Sequence, residues 1–156
     1  MDVQETIMAA NKILTSIENI FNTNSVELPA RRYITVGGQG TVAYDCEQLT
    51  VSWEQTYSGR PGNPIQEISR CNTIRSGVFV VELVRPIPVS ERADIPPEGF
   101  LIQEAAEALM IDAVLLYNAG LIAAEDSILD GGLADVTVGP PAGGLQSLVM
   151  TVVMPI

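Results

Sequence analysis

The side chains best able to do chemistry in this 156-residue chain are carboxylates and two thiols, because it contains no histidine. That absence removes the Ser-His-Asp triad, the Cys-His dyad and the imidazole metal site together. Glu104 with Glu107 or Asp112 falls at helical spacing, and such a set could share one helix face as glycosidase or metal-binding acids do. The solvated side of an ordinary helix has the same spacing. Cys46 and Cys71 are too few for a disulfide framework or a zinc site, and neither has an obvious base. They are expected to be small core residues and reduced thiols, with a Cys46–Cys71 bond as the alternative. Trp53, Tyr57 and Phe79 read as sheet core, since a stacking platform for single strands needs aromatics among cations. The cluster Gly37, Gly38 and Gly40 lacks the lysine of a phosphate loop and has no helix after it. No catalytic residue, cofactor or metal is therefore expected, and elimination leaves a binding or structural protein that is not an enzyme.

The longest uninterrupted apolar stretch, Pro97 to Asn118, reads as a buried helix around which the chain is organised. Pro97 suits the first turn, Glu98 and Glu104 lie toward the positive end of the dipole, and Asn118 and Gly120 supply the stop. Leu101, Ala105, Ala108, Leu109, Val114 and Leu116 leave a narrow polar strip through Gln103, Glu107 and Asp112. Most of the circumference is thus expected to be covered, with a sheet as the cover. At 22 residues the stretch has the length of a membrane span, but Glu98, Glu104, Glu107 and Asp112 fall inside it and no Lys or Arg follows it. No membrane association is expected.

Around that helix, Val3, Ile7, Ala10, Leu14, Ile17 and Phe21 step by fours and threes, the period of an amphipathic helix, with Asp2 in place to cap it. Arg32–Val36 is a short strand candidate. In Glu47–Tyr57, Leu49, Val51, Trp53 and Tyr57 alternate with Thr50, Ser52, Glu54 and Thr56, which predicts a strand with one wet face. Ser58–Asn72 looks too long and polar for a tight hairpin and is expected to be an exposed excursion. Thr73–Arg85 is apolar on both faces, as a central strand should be. Leu121–Leu129 reads as an ambiguous short second helix. Leu133–Val138 and Leu145–Met154 form a closing hairpin across GPPAGG. The order α-β-β-β-α-β-β gives an α+β fold in one domain spanning 1–156, with a mainly antiparallel sheet of about five strands and two main helices packed on one face.

Charge is unevenly placed. Residues 1–92 hold all 8 Lys and Arg and 10 of the acids, whereas 93–156 hold the other 9 acids and no base. Such a C-terminal third cannot hold nucleic acid by neutralising phosphate. The opening of the chain has neither a basic n-region nor an apolar h-region, so synthesis in a cytoplasm is expected.

The segment DCEQLTVSWEQTYSGRPGNP, followed by RCNTIRSGVFVVELVRPIPV, resembles the cysteine-bearing strand, proline-glycine loop and apolar strand of tail terminator proteins of long-tailed, siphovirus-type phages, particularly those infecting actinobacteria. The stretch VTVGPPAGGLQSLVMTVVMPI is similar to their terminal hairpin. The likeness spans residues 30–156, and the order of the pieces carries it. The departures are a very apolar last strand and Pro140–Pro141 where a charged turn residue would be usual.

The resemblance implies a homo-oligomer, a hexameric ring, that caps the tail tube and joins the head-side connector. Its partners would be the major tail tube protein and a head-to-tail connector or stopper protein. It would be assembled in the host cytoplasm and sit in the virion at the tail–neck junction, with genome DNA passing through the bore without specific binding. Another neck component, a stopper or adaptor, is the alternative within phage morphogenesis, and a small acidic hydrolase-like domain the alternative outside it. Identical subunits in a ring need two different patches each. The candidates for subunit or partner contact are Arg60, Ile65, Ile68 and Arg70, together with the residues near Pro155–Ile156.

Overall fold

A computed structural model describes residues 3–37, 46–65, 74–125 and 132–156. The predicted cap Asp2, and Ile68, Arg70 and Cys71, lie outside the described residues. Helix α1 spans Val3–Thr23 and buries Ala9, Ala10, Ile13, Ile17 and Phe21. It ends in a Schellman motif: Val26 N donates to Phe21 O at 2.9 Å and Ser25 N to Asn22 O at 3.1 Å. Ser25 holds the left-handed position at φ 56°, where glycine is usual.

The sheet runs β1-β2-β4-β6-β5, with β1 Arg32–Val36, β2 Gln48–Arg60, β4 Arg75–Pro86, β5 Leu133–Val138 and β6 Leu145–Pro155. A two-residue β3, Asn63–Pro64, pairs with the end of β2. Among the described residues only the β1–β2 pair is parallel. The fold is thus α+β with a mostly antiparallel sheet, and β4 takes the central place its two-sided apolar pattern predicts. The register sets Leu49 and Val51 beside Leu83 and Val81, and these beside Leu148 and Met150. All six are buried in one core with residues of both helices.

Several local readings are corrected. A bulge between Trp53 and Gln55 inserts Glu54 into the β2–β4 ladder and shifts the alternation by one. Thr56 therefore joins Trp53 on the helix side and accepts its Nε1–H at 3.2 Å, whereas Tyr57 points to the other face. That other face is not wet: Gln48, Thr50 and Ser52 are buried. Tyr33 Oη donates to Gln48 Oε1 at 3.2 Å, and Ser52 Oγ to Glu54 Oε1 at 2.9 Å, which supplies polar partners there. The start of the expected excursion is a tight hairpin after all, since Gly59 and Arg60 pair with Pro64 and Asn63. Glycine makes it possible: Gly59 and Gly62 have φ 117° and 76°.

The organising helix, α2, spans Gly99–Ala124. It begins after Pro97, with Glu98 as an extended N-cap, and Asn118 and Gly120 do not stop it. Gly120 serves contact instead, because a Cβ there would lie 2.7 Å from Met150 Sδ and 3.1 Å from Ala134 Cβ. The proposed short helix from Leu121 is the last turn of α2. The larger correction concerns burial. Leu115, Leu116, Ala119, Gly120, Ala123 and Ala124 are buried, yet Phe100, Ile102, Met110, Ile111, Val114 and Ile122 are each at least half exposed. The sheet and α1 cover the inner flank, and the outer flank stands uncovered.

Candidate functional site

The three carboxylates do not converge. Glu104 and Glu107 are exposed, and Glu107 Oε1 accepts a hydrogen bond from Gln103 Nε2 at 2.8 Å. Asp112 lies about 140° round the helix from Glu107 at 3.6 residues per turn. It is buried, contrary to its expected place on a solvated strip. Arg85 Nε donates to its Oδ2 at 2.8 Å and Nη2 to its Oδ1 at 3.3 Å. The same guanidinium donates to the Glu27 carbonyl at 2.7 Å and lies 3.7 Å from Glu47 Oε2. Arg85 thus joins β4, α2 and the connection after α1, a structural role that uses up the inward carboxylate. Among the described residues, no group of three or more His, Cys, Asp or Glu could hold a metal.

Cys46 is an exposed free thiol and not a core residue. Arg31 Nη1 donates to its sulfur at 3.7 Å, and Arg31 stacks 5.4 Å from the Tyr33 ring centroid. The hydrogen bond to Cys46, then the field of Tyr33, holds Arg31 above its ordinary pKa.

Of the predicted contact residues, Arg60 and Ile65 are exposed on the β2–β3 hairpin, whose turn is fixed by Gly62 N donating to Tyr57 Oη at 2.8 Å. A Cβ on Gly62 would meet Leu133 Cδ1 at 2.7 Å, so the turn leans on β5 of its own chain. The C-terminal end is no free contact either. β6 runs to Pro155, Ile156 N donates to Arg75 O at 3.1 Å, and its side chain packs on Gly77 and the core.

The apolar surface lies elsewhere, at the two sheet edges. On the β5 side, Ile102, Ala106, Met110 and Ala113 fall on one stripe of α2 at steps of four, four and three. With Ile87, Pro88, Val138 and Pro141 they line an open groove of about 540 Å³. Met110 is 67% and Val138 59% exposed, which marks the groove as uncovered. On the β1 side, Val3, Ile7 and Ala10 of α1 face Ile34, Val36 and Trp53 across a second groove of about 280 Å³. Sequence reasoning missed both, and the surplus of apolar residues behind a mean hydropathy of +0.26 was the one available signal. By length and composition alone α2 is long and apolar enough to cross a bilayer, though its Asp112 is paired with Arg85 of the same chain. No family model and no curated protein matches this chain.

Proposed function

We propose that this chain is a structural virion protein, a tail terminator that closes into a hexameric ring on the end of a phage tail tube and presents a surface to the head-side connector. The observation that carries the reading is a subunit whose core is complete yet which leaves apolar surface bare at two different edges. A monomer has little use for such surface, whereas a ring of identical subunits requires two unlike patches on each. The ordered likeness of residues 30–156 to tail terminators supplies the identity of the ring. The chain has no catalytic role in this reading. Those exposed acids of the C-terminal third that no contact uses face the bore, where they keep passing DNA from adhering.

Negative-stain imaging and complex-mass measurement with purified tail tubes test it. The expected result is one cap per tube at its head-proximal end and tubes of uniform length. A chain that ignores tubes under all conditions overturns the proposal, and one that binds head connectors but not tubes moves it to a stopper or adaptor.

A further inference from the structure

The two apolar surfaces are counterparts. Among the described residues β1 pairs only with β2 and β5 only with β6, so each ends the described sheet. The register places Ile34 and Val36 beside Val51 and Trp53, and Val138 beside Leu148, so these exposed apolar side chains of the two edges lie on the helix-bearing face, whereas exposed Leu133, beside Val153, lies on the other. Above the β5 edge stands the bare flank of α2, and above the β1 edge the bare end of α1.

Setting the β1 edge of one copy against the β5 edge of another would place a second α1 along α2. That arrangement repeats the packing of α1 beside α2 within the subunit. The edge strands match in length, at 5 residues for β1 and 6 for β5. Charge matches as well. The β1 edge opens with exposed Arg31 and Arg32, while α2 carries exposed Glu104 and Glu107 in a region with no base. Arg32 lies 3.6 Å from Glu18 with both side chains more than a third exposed, which leaves its charge open to a second partner. Joining α2 to α2 would instead oppose acids to acids. A stable contact needs about 800 Å² from each partner, under a tenth of the 9395 Å² surface.

We infer that copies of this chain join head to tail, the α2–β5 groove of one receiving the α1–β1 edge of the next. The inference rests on the ring reading for its purpose and adds the surfaces and the polarity. Both native thiols are first removed by Cys46→Ser and Cys71→Ser, and circular dichroism confirms the fold. Val36→Cys and Met110→Cys are then made separately in this background, one bearing a mass tag, and oxidised alone and mixed.

A disulfide-linked heterodimer in the mixture alone is expected, together with at least a tenfold loss of self-association in Met110→Glu by light scattering. Homodimers of Met110→Cys without heterodimer indicate α2–α2 pairing and overturn the inference. So does the absence of any cross-link, or co-sedimentation with phosphatidylcholine vesicles in place of cross-linking. Caps on tubes without the mixed cross-link overturn the contact and leave the ring standing, whereas the cross-link without caps keeps the contact and overturns the tail function.

Discussion

The two helices lie side by side on one sheet, and they reveal their surroundings to different degrees. α1 alternates apolar and polar positions, and Ala10, Ile17 and Phe21 of the stripe its period marks are buried with Ala9 and Ile13 beside them, while Val3 and Ile7 at its start stay exposed. α2 is apolar on nearly every side, and that pattern predicts cover all round, whereas cover exists on one flank only. The difference teaches that hydrophobicity fixes how much surface must be removed from water, not by what. Where the described elements run out, as they do beside Met110 and Val138, apolar surface stays bare, and the proposed ring contact is what would cover it.

The comparison breaks first on the inner flank. Leu116 is fully buried between α2 and the core, and Leu116→Ala should cost about 3 kcal/mol in urea unfolding, through lost burial and the cavity left behind. Asp112→Ala should cost about 2 kcal/mol, less than the loss expected for a fully dry pair because the Arg85 side chain remains 16% exposed. The double variant Arg85→Met with Asp112→Leu should recover most of that loss, since it removes the stranded charge along with the pair. A single variant as stable as the parent would show that Arg85 does not depend on α2. Gly120→Ala should cost about 1 kcal/mol, because Met150 is itself buried and has little room to move from the new methyl.

Much of the fold was legible because strands and α1 each declare a period. The central place of β4, the closing hairpin and the α+β class all follow from alternation and turn residues. What was not legible depended on single residues acting across the fold. Glu54 produces a bulge that nothing in its own alternation announces, and it sends Tyr57 to the opposite face. Gly120 looks like a helix stop until Met150 is seen against it. Asp112 looks solvated until Arg85, 27 positions earlier in sequence, is brought to it. The proposed contacts Arg60 and Ile65 were sought on the hairpin, whereas most of the bare apolar surface belongs to side chains of the helices and edge strands, which their periodicity assigns to a core.

The smallest expected effect is the most informative for that reason. Val114 lies two residues before Leu116 on the same helix, is apolar like it, and is 59% exposed. Val114→Ser should change the unfolding free energy by less than about 0.5 kcal/mol, since little area returns to water that was not already wet. Serine is a slightly poorer helix former than leucine but close to valine, so propensity does not mask the result. The parallel Ile111→Ser should behave alike. If either variant loses as much stability as Leu116→Ala in a dilute monomeric sample, the outer flank is covered within the subunit and the contrast between the two sides of α2 fails. If stability holds while light scattering shows weaker self-association, the apolar surface of α2 is divided between two tasks: the inner half holds the fold, and the outer half holds a neighbour.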